Sequence, residues 1–237
     1  NCVMEYPIAN RVFVITGASG GMGSTISKML AKEGARLALT SNDAAAMDAL
    51  KQELPADAYT EILDITDEAQ VAAFFGKVKA LFGGADALLN LAGLSIPAQI
   101  PEMAEKDYDL TMDVNLKGTF LASKHFAAMA RPNAQIINIG SMAALRANGN
   151  APLYCTAKAA VNMFGSGLQI QLAKQDIRVT TLNPGGADTP FWGNRKVARE
   201  KLLQAADVCD VMRFVLTSDP RIAFHELNFE SFAMMKG

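Results

Sequence analysis

The chain has 237 residues, 50% of them hydrophobic and 19% charged, with a net charge of −2 and a pI near 5.7. That length holds one large domain or two small ones with a substantial core. The lack of any basic stretch excludes a nucleic-acid partner, and no apolar run reaches the roughly 18 residues of a membrane span.

Residues 1–10 include Glu5 and Pro7 and lack the charged-then-apolar pattern of a secretory signal. The chain begins at Asn1 rather than Met, so some native or tag residues are expected to be missing or altered. The three cysteines, Cys2, Cys155 and Cys209, are odd in number and not closely paired. That usage points to a reducing compartment, with a cytoplasmic location expected, rather than to a disulfide framework. His125 and His225 have no Cys or His partner at ligand spacing, so no metal site is expected.

In chain order, the apolar run 11–16 predicts a buried strand, and Gly17-Ala18-Ser19-Gly20-Gly21-Met22-Gly23 predicts a turn. A helix carrying Ile26, Met29, Leu30 and Ala31 follows and ends near Gly34. Strands are then expected at 36–40, 59–65, 86–91, 134–139, 177–182 and 222–229. Helices are expected at 43–54, 67–82, 102–130, 152–174 and 197–217. This alternation implies right-handed crossovers and a doubly wound parallel sheet of about seven strands, covered on both faces. Without a linker or repeat, 1–237 reads as one α/β domain of Rossmann type, with 190–206 as a mobile lid over a substrate.

Glycines between a strand and a helix let backbone approach a phosphate at the helix N-terminus, where unpaired amides and the helix dipole favour an anion. Gly17, Gly20, Gly21 and Gly23 hold that position, although their spacing is neither the common dinucleotide fingerprint nor a Walker loop. Further on, Tyr154 and Lys158 stand four apart in the predicted helix 152–174, on one face of it. A free tyrosine has a pKa of about 10. A neighbouring ammonium favours its phenolate, and a drop of about two to three units takes ~3–4 kcal/mol. Such a pair suits proton transfer to or from an oxygen.

Several motifs in order along the chain resemble the short-chain dehydrogenase/reductase family. They are Thr16-Gly17 with Gly21 and Gly23, then Asp64-Ile65, then Asn90-Leu91-Ala92-Gly93, with Leu91 where the family has a second Asn. Val114-Asn115, Ser141 thirteen positions before Tyr154, Asn183-Pro184-Gly185 and Thr189 complete the set. The resemblance implies a hydride exchanged between NAD(P)(H) and a secondary alcohol or ketone. It implies four catalytic residues: Tyr154 as acid/base, Lys158 as pKa modifier and ribose anchor, Ser141 as donor to the substrate oxygen, and Asn115 as organiser of a water. Implied cofactor contacts are Gly17, Ser19, Gly20, Gly21, Met22, Gly23, Ser41, Asn42, Asp64, Ile65, Asn90, Ala92, Gly93, Tyr154, Lys158, Pro184, Gly185 and Thr189.

A carboxylate at the end of the second strand would select NAD by bonding the ribose 2′-hydroxyl. Ser41 and Asn42 stand there instead, with Asp43 placed to cap the next helix, which leans the choice toward NADP(H). Leu94, Ser95, 143–148 and 185–192 are candidate pocket walls, with Phe191 and Trp192 in the lid. Arg146 and Arg195 are available without forming the basic cluster of a strongly acidic substrate's site. The resemblance also implies a homodimer or homotetramer through helices 113–130 and 152–174.

Each residue has an ordinary alternative. Ser141 can cap a turn, Asn115 can bond a helix carbonyl, Tyr154 can be a half-buried aromatic, and Lys158 can be a solvated helix residue. Two other functions compete. An NAD(P)-dependent epimerase or dehydratase usually carries a larger substrate domain, and a catalytically silent dinucleotide-binding regulator would be expected to have lost part of the catalytic set.

Overall fold

The computed structural model describes residues 6–236; Cys2 and the first half of 1–10 lie outside the described residues. Strand β1 (Val12–Thr16) runs through the middle of the molecule, buried along its whole length. The glycine turn leads into α1 (Gly21–Lys32), then β2 (Arg36–Ser41), α2 (Ala44–Lys51), β3 (Tyr59–Ile62), α3 (Glu68–Phe82) and β4 (Ala85–Asn90). The second half holds α4 (Glu105–Met112), α5 (Gly118–Ala127), β5 (Ala130–Ile139), α6 (Pro152–Leu172) and β6 (Arg178–Pro184). Two short strands follow, β7 (Ala187–Asp188) and β8 (Leu203–Gln204), then α7 (Ala205–Thr217), β9 (Glu226–Phe229) and α8 (Phe232–Met235).

Seven strands form one parallel sheet in the order β3-β2-β1-β4-β5-β6-β9, the single doubly wound domain expected from the alternation. Side chains alternate across a strand, so each strand feeds two cores. Phe13, Ile15, Leu37, Leu39, Leu89 and Ile137 pack toward α1 and α7. Val12, Val14, Ala38, Leu88 and Ile136 pack toward α3 and α5. Burial on both faces is why the strands read as continuous apolar runs. The connections wind to opposite sides of β1 and β4, and Thr16 pairs with Asn90 at that point. In sheets of this kind ligands bind where the order reverses, beyond the carboxyl ends of the strands.

Five boundaries differ markedly from the sequence-based expectation. The single helix over 102–130 is instead α4, a π-helical turn at Asp113–Lys117, and α5. The chain re-enters the sheet at Ala130, before Pro132. A register break between Ala85 and Ala87 lets residues 131–133 bulge there, with Asn133 at φ 63°. β3 ends at Ile62, not 65. α7 starts at Ala205, not 197, because Gln204 and Asp207 cap each other's backbone. The last strand covers only Glu226–Phe229. Among the described residues no helix is long and apolar enough to cross a membrane.

Candidate active site

Where the sheet order reverses, backbone rather than side chains builds the first wall. Gly17 has φ +62°, and a Cβ on it would lie 2.7 Å from the Ala92 amide nitrogen. A Cβ on Gly23 would lie 2.2 Å from the Gly17 carbonyl oxygen. Both positions therefore require glycine. The Thr16 hydroxyl accepts from the amides of Leu91 and Ala92 at 3.2 and 3.3 Å, binding the turn to the loop after β4. Gly20 is the N-cap of α1 and has no side chain to satisfy the first amides, and the first turn carries no carboxylate. This is the arrangement an anionic pyrophosphate needs. A Cβ on Gly21 would meet Thr189 at 2.7 Å, so the loop after β7 leans on the turn.

From this turn a cavity of about 680 Å³ runs past Gly93 to Ser141, Tyr154 and Lys158, and on to Phe191, Trp192 and Arg195. Pro152 at the first position of α6 starts that helix. Lys158 is 3% exposed, and its ammonium donates to the Ile139 carbonyl at 2.9 Å. Ser141 caps a short 3₁₀ turn, its hydroxyl accepting from the Ala143 amide at 3.0 Å, and it is close enough to the Tyr154 phenol to lower its pKa. Asn115 sits in the π-helical turn and donates to the carbonyls of Leu94 and Thr111, both at 2.8 Å. Its buried Oδ1 has no partner among the described residues. A Cβ on Gly93 would lie 2.9 Å from that oxygen and 3.3 Å from the Lys158 ammonium, so both groups point at one spot. Three separate segments thus supply the four residues: Ser141, Tyr154 and Lys158 line the cavity, and Asn115 stands behind Gly93 beside the Lys158 ammonium.

The sequence pattern of the family described as short chain dehydrogenase matches residues 11–200. The chain belongs to the short-chain dehydrogenase/reductase family. An uncharacterized oxidoreductase of Staphylococcus saprophyticus is 30% identical over 226 residues, covering 93% of this chain and 97% of that one. A Brucella melitensis structure titled as a short-chain dehydrogenase/reductase, glucose/ribitol dehydrogenase, is 26% identical with a TM-score of 0.88, covering 94% and 96% of the two chains. A Serratia marcescens short-chain dehydrogenase/reductase shares the fold at 24% identity and a TM-score of 0.87, over 96% and 99%. The chain is therefore an oxidoreductase of this family, whose members generally bind NAD(P)(H).

The residues present fit such a dinucleotide. The glycine cradle excludes side chains, the α1 amides lack a protein cap, and Pro184, Gly185 and Thr189 line the cavity with Gly93. Other expected contacts lie outside the lining. The Ser41 hydroxyl is 2.5 Å from that of Ser19 and accepts from the Asp43 amide, while Asp43 caps α2 through Ala46. Asn42 is exposed beside them. Asp64 is exposed and accepts from Thr66, and Ile65 packs against Gly118 of α5. Asn90 is turned into the sheet, donating to Ser123 and Asn138.

Electrostatics depart from one expectation in this short-chain dehydrogenase/reductase. Lys158 was expected to draw the Tyr154 phenol down, yet burial pushes it up to about 12, opposed by the Ser141 hydrogen bond and the Arg195 charge. Lys158 is not among those causes. Its ammonium lies 5.8 Å from the Tyr154 ring centroid, and burial pulls its own pKa down to about 8. Both groups are held toward their neutral forms.

Sequence reasoning passed over an amide network that braces the site. The Asn183 Oδ1 accepts from the Ser141 amide at 3.1 Å and from Asn162 at 2.9 Å. The Asn183 amide donates to Asn162 and Asn228, each at 2.8 Å, and Asn162 donates to the Lys158 carbonyl at 3.0 Å. Ser141 and Lys158 are thus tied through β6. A Cβ on Gly140 would lie 2.0 Å from the Asn183 Oδ1, so only glycine admits this contact.

Proposed function

We propose that this protein catalyses reversible NAD(P)-dependent oxidation of a secondary alcohol, or reduction of the corresponding ketone, within the cavity between the glycine turn and Trp192. The observation that carries this reading is that Ser141, Tyr154 and Lys158 line the same cavity as the glycine turn, with the Asn115 Oδ1 and the Lys158 ammonium side by side at Gly93. A nicotinamide supplies or accepts the hydride when bound. Tyr154 gives the proton to the carbonyl oxygen in reduction and takes it back in oxidation. Ser141 donates to the same oxygen and holds it against the phenol. Lys158 and the unpartnered Oδ1 of Asn115 form the start of a proton path toward solvent. Lys158 also anchors the cofactor ribose.

Gly17, Gly20, Gly21, Met22 and Gly23 would hold the pyrophosphate, with Gly93, Pro184, Gly185 and Thr189 beside the nicotinamide. Ser19, Ser41 and Asn42 would face the adenosine ribose. The hydroxyl pair Ser19–Ser41 carries no charge to repel a 2′-phosphate, which favours NADP(H). Residues 190–204 act as the lid, with 205–206 belonging to α7. Exposed Phe120 on α5 and Met163 and Ile170 on α6 leave an apolar face that suits a homodimer or homotetramer. Unpaired Cys155 and Cys209 agree with a reducing, cytoplasmic setting.

The test is a panel of secondary alcohols and ketones followed by nicotinamide absorbance with both cofactors. Tyr154→Phe is expected to lose about 10³-fold in kcat, within the usual contribution of a general acid/base. A Tyr154→Phe enzyme as fast as wild type would overturn the assignment.

A further inference from the structure

Among the described residues, those lining the cavity include no carboxylate, although the chain as a whole carries a net charge of −2. The titratable side chains among them are Tyr154, Lys158, Arg146 and Arg195. Proton transfer accounts for the first two. The two arginines are unexplained, and the fold brings them to one cavity although they stand far apart in sequence. Arg146 is half satisfied at the rim, facing Glu230 at 2.7 Å.

Arg195 is different. It has no ion-pair partner among the described residues, and its hydrogen bonds go to the carbonyls of Trp192 (2.9 Å) and Phe191. Those bonds leave most of its N–H fork free. The guanidinium lies 5.0 Å from the centroids of both Phe191 and Trp192, and Phe191 lies 5.7 Å from the Tyr154 ring. A cation is thus fixed by two aromatic faces within one ring contact of the reacting phenol. A planar guanidinium so held matches a carboxylate in two parallel hydrogen bonds.

We propose that the substrate carries a carboxylate bound by Arg195, so that the reaction is reduction of a keto acid or oxidation of the matching hydroxy acid. This rests on the dehydrogenase reading above. The carboxylate itself is unchanged: the hydride goes to the ketone carbon, the proton from Tyr154 to its oxygen. Arg195 is close enough for its charge to favour the Tyr154 phenolate. A substrate carboxylate on Arg195 therefore also determines how much of that charge reaches the phenol.

The experiment compares acids with amides of the same skeleton, acetoacetate against acetoacetamide and levulinate against levulinamide, at saturating cofactor. Wild type is expected to prefer the acid by about 30- to 100-fold in kcat/KM, the range of a charge-assisted hydrogen-bonded pair. In Arg195→Gln and Arg195→Lys the preference is expected to fall, to near unity in the first and part-way in the second. Levulinate, but not levulinamide, is expected to change the fluorescence of Trp192, the only tryptophan. Equal turnover of acid and amide by wild type overturns the proposal without any variant. So does an Arg195→Gln enzyme that is slower on both yet keeps the preference, which would make Arg195 a clasp for the lid. A preference that survives while cofactor affinity falls would give Arg195 to the pyrophosphate and also overturns it. Failure to turn over any ketone or alcohol would instead overturn the dehydrogenase reading.

Discussion

The two walls of the cavity are built on opposite principles. The wall at the glycine turn is backbone against backbone: Gly17 against Ala92, Gly23 against Gly17, with the Thr16 hydroxyl between. The wall at 191–195, the proposed lid, is side chain against side chain. Phe191 crosses Trp192 edge-on at 5.9 Å, Arg195 covers both, and the Trp192 indole donates to the Ala187 carbonyl at 2.7 Å. Backbone contact leaves no room for a Cβ, so that wall suits a ligand part of fixed shape. Side-chain contact can be rewritten without touching the sheet, which is where a substrate preference belongs.

The sharpest way to break the contrast is Gly23→Ala. The new Cβ would lie 2.2 Å from a backbone oxygen that has no room to move. Overpacking of this kind costs ~3 kcal/mol, the upper end of its range. The expected result is a loss of that size in urea unfolding together with loss of measurable cofactor binding by calorimetry. Retained affinity would show that the turn is not the phosphate cradle.

Next comes the brace between the walls, which ties Ser141 to Lys158 through β6. Asn183→Leu leaves the Ser141 amide and the buried amide groups of Asn162 without their partner. Leaving buried polar groups unsatisfied costs about 1–3 kcal/mol. Because Ser141 is then less firmly held, kcat is expected to fall about tenfold more than cofactor affinity does. Equal losses in both would reduce the network to a purely structural role.

Lys158 tests the buried end by pH. Its folded pKa of about 8 lies below the ordinary 10.5. The unfolded chain therefore binds more protons between those values, and this lysine makes the protein more stable as pH rises from 8. Tyr154 and Cys209, both raised to about 12, act in the opposite sense once pH passes their ordinary values of 10.0 and 9.0. The window from pH 8 to 9 is left to Lys158. There wild type is expected to gain up to ~1.4 kcal/mol per pH unit relative to Lys158→Met, from one proton. Parallel pH curves for the two proteins would contradict the burial argument.

The backbone wall was legible in the sequence down to its glycines; 190–206 could be read as a segment carrying Phe191 and Trp192 over the pocket, but the contacts that join its side chains could not. Strands buried on both faces leave continuous apolar runs such as 11–16, and a turn that admits no Cβ must leave glycines at fixed offsets. Tyr154 and Lys158 share one helix, so their proximity is local. The break at Asp113–Lys117 is invisible because the apolar pattern continues through it. Asn162, Asn183 and Asn228 lie 21 and 45 positions from one another, and an isolated asparagine has no periodicity to betray its partner. The stretch 197–204 read as the start of a helix over 197–217, but the reciprocal cap at Gln204 and Asp207 holds it out of α7.

The smallest expected effect is on the lid. Trp192→Leu removes the indole bond to Ala187 and half of the aromatic seat of Arg195, yet it leaves the parallel sheet and both cores untouched. Trp192 is only partly buried, so its net hydrogen bond and packing on Gly186 are expected to count for about 1 kcal/mol in unfolding experiments. Cofactor affinity is expected to stay within about twofold, since no contact of the glycine turn changes. The effect should appear in KM for the carbonyl substrate, because the surface that orients Phe191 against Tyr154 has been thinned. A Trp192→Leu enzyme whose cofactor affinity falls as far as its substrate KM rises would mean that the two walls do not divide the ligand between them.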